Sequence, residues 1–396
     1  MVSEIELKTV LSEWSYSSEK VKKLIPRNLE SSKLIKSLEP DLVWVIQGVR
    51  RCGKSTLLYQ WVDHFQLNPQ RCYFINFEDP RLIDSLDFHL LDLIIKVSEP
   101  TFEAKYFFLD EIQNVLGWEK WLHSQIEKKS NHHFIITGSN ATLLSGKLSS
   151  ALTGRHRNIE VYPFNYSEFK LASTEHSFES FINLGGFPKT FFTQDPVGLL
   201  RDYFQDIVEK DIRKNTKARS NITLQYLGKC LFESTGSETS LRKLSNILEI
   251  SINTIKLYVE AFCNSYLILE CPYFAYSERK QLVRSKKYYP IDLGMVNAVL
   301  LNKGQDLGKK LETVVFLALK KKYKSVYYWR GKGEVDFIVQ EGSELIPFQV
   351  SWDGAKERHL KAYEEFRSEF KKVGELVFVT RSNIEEFLEA EVGVSR

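Results

Sequence analysis

Residues 48–55 read Gly48-Val49-Arg50-Arg51-Cys52-Gly53-Lys54-Ser55, an uninterrupted G-x-x-x-x-G-K-S. An apolar run, Leu42-Val43-Trp44-Val45-Ile46, precedes it, and Thr56-Leu57-Leu58-Tyr59-Gln60-Trp61-Val62 follows. Strand, glycine-rich loop and helix in that order are what a phosphate-binding loop requires. From Gly48 to Thr56 the backbone N–H groups turn inward on an oxyanion, and the helix N-terminus adds the positive end of its dipole. Lys54 is placed to reach the β- and γ-phosphates, and the Ser55 hydroxyl to ligate Mg²⁺. No guanine-reading motif stands near the loop, so ATP is the default nucleotide. Cys52 reads as a tolerated small residue, with a redox switch as the alternative.

From residue 42 to about 165, short apolar runs alternate with amphipathic segments. That alternation implies βαβ units and a parallel sheet covered on both faces. Cys72-Tyr73-Phe74-Ile75-Asn76-Phe77, Tyr106-Phe107-Phe108-Leu109 and Phe134-Ile135-Ile136-Thr137 are its further strands. The second of these ends in Asp110-Glu111. There Asp110 would hold Mg²⁺ opposite Ser55, directly or through water, and Glu111 would orient and deprotonate the attacking water. The bland alternative is a solvated acidic turn. The next strand ends in Gly138-Ser139-Asn140, at the sheet edge where ligands sit. Ser139 or Asn140 would sense the γ-phosphate or position the lytic water, or would cap a helix beginning near Ala141. Arg155 and Arg157 are candidate arginine fingers, acting on their own site or on a neighbour's in a homo-oligomer.

The totals leave most partner classes open. With 54 basic and 51 acidic residues the net charge is +3, so any polyanionic partner must be argued from local patches. The five cysteines form no C-x-x-C pair, which points to reduced thiols in the cytoplasm rather than a zinc site or disulfide framework. The N-terminus lacks the apolar core of a signal peptide, and no apolar run nears the roughly 20 residues needed to cross a bilayer. A soluble protein without a membrane partner is expected.

The run Ile46 to Ser55, then Leu109-Asp110-Glu111-Ile112-Gln113 with Trp118 after it, then Thr137-Gly138-Ser139, resembles a prokaryotic family of AAA-type P-loop ATPases. In that family the ATPase domain is followed by a C-terminal domain of unknown function (DUF4143). Gly154-Arg155, Pro163-Phe164, Gly185-Gly186-Phe187-Pro188, Asp292-Leu293-Gly294 and Glu334-Val335-Asp336-Phe337 fit the same family. The resemblance therefore runs from about residue 25 to residue 380. It implies an ASCE-type ATPase with the catalytic glutamate on a strand beside the phosphate-loop strand. It supplies no settled biological role. Ser55 stands where threonine is frequent, and either hydroxyl serves the metal.

After Pro163 the pattern turns mainly helical. Residues 240 to 270 have the helix, turn, helix rhythm of a winged-helix unit, which the resemblance also favours. Ser251 is a plausible N-cap, with Ile255 and Val259 on the buried face. Asn253, Thr254 and Lys256 would then face outward, residue types suited to base edges and phosphates, although such modules also bind proteins. From about residue 310 the pattern reads helix, strand, hairpin, strand, helix, strand. Glu312, Asp336 and Gln349 lie there in a layout resembling a metal-dependent nuclease core of the PD-(D/E)xK type. The chemistry needs acidic ligands and a lysine beside the attacking water. Gln349 is a weak neutral ligand and Ser351 cannot replace an ammonium, so the site reads as degenerate, with Lys332 the candidate migrated lysine. Basic clusters at Arg279-Lys280, Arg284 to Lys287 and Lys320 to Lys324 could track a phosphate backbone. Tyr288, Tyr289, Tyr327, Tyr328 and Trp329 could stack on bases.

The expected class is α/β: an ASCE/AAA-type P-loop sheet, a helical winged-helix module and a small nuclease-like domain. The expected boundaries are 1–165, 166–290 and 291–396. The expected function is Mg²⁺-dependent ATP hydrolysis coupled to DNA or protein binding by the C-terminal half. The alternatives are a nucleotide-gated switch with negligible turnover and an ATPase-linked nuclease.

Overall fold

A strand without polar alternation must be covered on both faces, and β1 (Val43–Gln47) is buried at every residue. In the computed structural model, which describes residues 2–27, 38–98, 103–129, 131–141, 152, 154–301 and 306–393, β1 lies inside a five-stranded sheet of order β2-β3-β4-β1-β5. Its partners are β2 (Cys72–Asn76), β3 (Tyr106–Asp110), β4 (His133–Gly138) and β5 (His156–Glu160), and every pairing is parallel. One expectation is corrected here. β3 does not lie beside the phosphate-loop strand, because β4 pairs with both and separates them.

Four helices matter for this sheet: α1 (Glu4–Glu13), α2 (Lys54–His64), α3 (Phe88–Val97) and α4 (Trp118–Glu127). On one face Val45, Phe107, Leu109 and Ile136 share a core with Leu91, Ile94 and Leu122. Elsewhere in the sheet, Phe74 stacks on Phe108 at 4.3 Å and on Tyr59 of α2 at 4.6 Å. The sequence also reads as helical from residue 1 to about 38, with Ile5, Leu7, Val10, Leu11 and Trp14 at mixed three- and four-residue spacings; α1 buries Leu7 and Val10, while Ile5 is exposed. Residues 28–37 of the expected N-terminal helical segment lie outside the described residues, as does nearly all of the helix expected near Ala141.

The chain divides into two compact units, residues 1–162 and 163–396. In the second, α5 (Asn221–Glu233), α6 (Leu241–Leu248) and α7 (Ile252–Asn264) precede the antiparallel pair β6 (Ile268–Cys271) and β7 (Lys287–Pro290). Then come α8 (Leu293–Val299) and α9 (Leu307–Lys322). A mixed sheet follows, of order β11-β10-β9-β8, from β8 (Tyr327–Arg330), β9 (Glu334–Glu341), β10 (Glu344–Ser351) and β11 (Val377–Thr380). β8, β9 and β10 run antiparallel, and β11 returns parallel to β10 after α10 (Glu357–Glu369). The helix Ile384–Gly393 beyond β11 was not expected.

Two sequence signs of this unit prove to be one lock. The Asp292 carboxylate accepts from the amides of Gly186 at 2.6 Å and Met295 at 2.8 Å. A Cβ on Gly294 would stand 2.0 Å from the Leu184 carbonyl oxygen, and one on Gly186 would stand 2.2 Å from that of Phe164. The glycines are needed because two backbones touch. Gly294→Ala should therefore lower the stability of the chain by at least ~1–3 kcal/mol, the usual cost of forcing atoms into a packed site. A urea melt followed by circular dichroism checks this.

Candidate nucleotide site

The loop after β1 is shaped by close backbone approach. A Cβ on Gly48 would meet the Val161 carbonyl oxygen at 2.0 Å, so only glycine fits. Gly53, at φ +101°, opens α2 in a conformation that side-chain-bearing residues rarely adopt. The loop is also braced from outside. The Cys52 thiol donates to the Val161 carbonyl at 3.1 Å, and the Arg27 guanidinium donates to the carbonyls of Cys52 and Tyr162. Burial pushes the Cys52 thiol up, so it is a packing residue and a poor thiolate.

Beyond the carboxyl ends of β1, β3 and β4 the polar groups converge. Ser55 Oγ, in the first turn of α2, donates to Asp110 Oδ2 at 2.6 Å. Thr137 Oγ1, at the end of β4, donates to the other Asp110 oxygen and accepts from the Glu111 amide at 3.0 Å. Lys54 Nζ donates to the carbonyls of Gly48 at 3.1 Å and Val49 at 3.3 Å, and stands 3.6 Å from Glu111 Oε1. Gln113 Nε2 donates to the second Glu111 oxygen at 2.5 Å. Glu111 holds a left-handed backbone, φ +56°, a strained conformation for a non-glycine residue and one that clusters at functional sites.

The adjacent carboxylates are driven apart in acidity. Burial, then the charge of Glu111, pushes Asp110 up to about 6 against its hydrogen bonds from Ser55 and Thr137. Burial acts upward on Glu111 too, but Lys54, Arg50 and Gln113 outweigh it and hold that carboxyl below its ordinary range. Burial alone would lower the Lys54 ammonium, but Glu111, Cys52 and Asp110 raise it instead. The site therefore holds a firmly charged lysine, a firmly ionised Glu111 and an Asp110 poised near neutrality.

Of the other expected residues, Asn140 is at this edge, its carbonyl accepting from Gln47 Nε2 at 3.3 Å. Arg50 pairs with Glu78 at 2.7 Å. Arg51 takes a left-handed backbone, and Thr56 lies in the first turn of α2. Arg155 and Arg157 are not brought in. The register pairs His156 with Val43 and Arg157 with Trp44, at the amino end of β1. Arg155 pairs instead with Glu127 at the end of α4. The length of β1 separates them from the loop, four residues at about 3.3 Å each. A finger acting on its own site is thereby excluded for both, because parallel pairing sends their ends to opposite edges. Thr137 and Arg27 were missed as site residues. Thr137 was quoted only as part of a motif, and nothing local in the sequence marks Arg27.

In the second unit, α9 and β9 bring Glu312 and Asp336 together, but a lysine from β7 fills the space. Lys287 Nζ lies 2.5 Å from Glu334 Oε1 and 3.4 Å from Glu312 Oε1, its side chain 1% exposed. Tyr289 Oη donates to Glu312 at 2.6 Å. Asp336 accepts from Gln349 Nε2 and, at 2.7 Å, from the Val350 amide, while burial and then the charge of Glu312 push the pKa of its carboxyl well above the ordinary value. Lys332, the expected migrated lysine, instead lies outside the cluster, its amide donating to Glu365 at 3.1 Å. Among the described residues, no three His, Cys, Asp or Glu side chains converge to hold a metal ion. Tyr288, Tyr289, Tyr328 and Trp329 are core residues, not exposed stacking platforms. On α7, Ser251 accepts from the Thr254 amide at 3.1 Å as the cap, with Ile255 and Val259 buried. Asn253 and Lys256 are exposed, beside the equally exposed apolar Ile252 and Leu257.

A parallel sheet of this order, with its loop after β1 and its acidic pair at the end of β3, defines a P-loop fold of the ASCE type. Residues 41–170 match the family model of the AAA domain, residues 175–306 that of a domain of unknown function (DUF8612), and residues 307–394 that of a domain of unknown function (DUF4143). The chain is 30% identical over 361 residues to an uncharacterized protein of Haemophilus influenzae, covering 85% of this chain and 89% of that one. It is 33% identical over 377 residues to an uncharacterized protein of Methanocaldococcus jannaschii, covering 87% and 81%. The chain belongs to this family of AAA-domain proteins with a C-terminal DUF4143 region. Among solved structures, Cdc6p from Pyrobaculum aerophilum is 14% identical with a TM-score of 0.32, over 63% of this chain and 85% of that one. The replication initiator DnaA bound to AMPPCP and single-stranded DNA is 13% identical with a TM-score of 0.31, over 64% and 92%. Likenesses this loose carry nothing about function.

Two measurements follow from these electrostatics. Lys287→Met leaves buried carboxylates without their cation and should cost about 3–5 kcal/mol in a denaturant melt. Asp110 has a folded value of about 6, above its unfolded 3.8. The folded state thus holds the extra proton between those values, and the Asp110 contribution to stability falls as pH rises from 4 to 6. Asp110→Asn removes that loss, so its stability gain over the wild type should grow across this window to on the order of 2 kcal/mol. Melts at pH 4, 5, 6 and 7 read it.

Proposed function

We propose that this protein is a Mg²⁺-dependent ATPase whose nucleotide state governs what its C-terminal half binds. The convergence of Lys54, Ser55, Asp110, Glu111 and Thr137 at one sheet edge is the observation that carries the reading. The residues suit the groups they are assigned. Gly48 lets the loop backbone pack against the Val161 carbonyl, where a Cβ would not fit, and so sets the course of the loop, and a hydroxyl beside a carboxylate is the hard-oxygen donor set that Mg²⁺ takes. Ser55 and Asp110 would hold the cation, which would supply positive charge against the phosphates.

The chain's own residues do the rest. The amides from Val49 to Thr56 orient the phosphates, and Lys54 exchanges its loop carbonyls for phosphate oxygens. That exchange relaxes the pairing of Lys54 with Glu111 and leaves the carboxylate to accept a proton from the attacking water in line with the leaving group. Thr137 keeps Asp110 and the Glu111 backbone in register, and in this reading Asn140, at the same sheet edge, would contact the γ-phosphate. Arg155 and Arg157, at the opposite end of the sheet, are left only an action on a neighbouring copy's site.

For the C-terminal half, α6, α7 and the β6–β7 pair make a winged-helix module in this reading, engaging DNA or a protein through α7. Lys287 takes the place of a metal ion in the nuclease-like core, so that core serves binding rather than cleavage. The test is phosphate release by the full chain. Glu111→Gln should retain ATP and lose about 10²–10⁴ in turnover. Wild-type turnover in that variant would overturn the mechanism. Rates measured with and without duplex DNA at a stated salt concentration check the coupling, since phosphate contacts weaken steeply with ionic strength.

A further inference from the structure

A buried ammonium ordinarily has an anion or a carbonyl beside it, because an unpaired charge out of water is costly. Three buried lysines here obey that rule. Lys54 faces Glu111, Lys105 donates to the Ser98 carbonyl at 2.8 Å, and Lys287 sits between Glu312 and Glu334. Lys310, on the first turn of α9, differs. Its side chain is only 9% exposed and has no hydrogen-bond or ion-pair partner among the described residues, and its ammonium opens instead on a cavity, with burial lowering its basicity.

Lys310 lines a cavity of about 660 Å³ in the second unit, between α5, α8 and α9. That is the size of an ordinary small-molecule site. Much of the wall is apolar, from Phe232, Leu293, Val296 and Leu300. Among the described residues the charged lining groups are Lys229, Lys309 and Lys310 against Glu233 and Asp306, one more positive than negative. Asp306 is already engaged, its carboxylate accepting from the Lys309 amide at 3.0 Å as the cap of α9. A cavity of this kind is complementary to an apolar body carrying a single negative charge. A dianion would face the two carboxylates, and a neutral ligand would leave the ammonium unpaired.

We propose that this cavity binds a small amphipathic monocarboxylate, its carboxylate paired with Lys310 and its apolar body against α5 and α8. The site is separate from the nucleotide site and does not depend on the ATPase reading.

The experiment uses the full chain with decanoate, decanol and decylammonium as probes, each displacing the fluorescent apolar anion anilinonaphthalene sulfonate. Decanoate should bind about tenfold or more tightly than decanol, the range for one charge-assisted hydrogen bond, and decylammonium least of all. Lys310→Met should abolish the preference for decanoate. Lys310→Arg should keep the preference. Should the Met variant fail to fold, Lys310→Gln tests the same loss of charge. Decanol binding as tightly as decanoate in the wild type, an undiminished preference in the uncharged variants, or no displacement by any probe would each overturn the proposal.

Discussion

The Asp110 carboxylate is the tie on which the nucleotide site depends. One oxygen accepts from Ser55 on α2 and the other from Thr137 on β4, while Asp110 itself closes β3. A single buried side chain thus fixes the spacing of a helix and two strands. The anion sits in low dielectric beside a second carboxylate, so it is held near the limit of remaining ionised. That strain suits a cation ligand, whose charge a divalent ion would relieve.

The two units treat buried lysines in opposite ways. Lys54 is held by loop carbonyls and one carboxylate, interactions that a triphosphate can displace. Lys287 is held by two glutamates within a tyrosine-lined core that offers no such exchange. In the first case the internal ion pair keeps a site ready. In the second it neutralises carboxylates inside a packed core. Gln349 donates to Asp336 where an acid would repel it.

Local pattern told a good deal. The apolar runs before Gly48, Asp110 and Gly138 became β1, β3 and β4 because a strand buried on both faces has no other composition available. Lys54, Ser55, Asp110 and Glu111 met as expected because each follows directly from a strand end. Arg155 and Arg157 failed for the complementary reason: they lead into β5 rather than out of it, and in sequence the polar His156-Arg157-Asn158 does not mark residues 156–160 as a further parallel strand of that sheet. The tyrosines near residue 288 and residue 328 looked like stacking surfaces, yet the pairing of β7 with β6 and of β8 with β9 buries most of them.

By itself, the order of residues determined what is local: the phosphate loop, its flanking strand and helix, the acidic strand end, the Ser251 cap and the run of helix and strands after residue 307. Those depend on backbone propensity and on side chains a few positions apart. Only the tertiary structure decided that β4 separates β1 from β3, that Thr137 joins the two carboxylate-bearing residues, that Lys287 enters the Glu312 and Asp336 cluster, and that Lys310 faces a cavity with no partner among the described residues. Each of these is a meeting of residues distant in the chain. The partner each one finds is set by sheet order and helix packing, quantities that no short window of sequence contains.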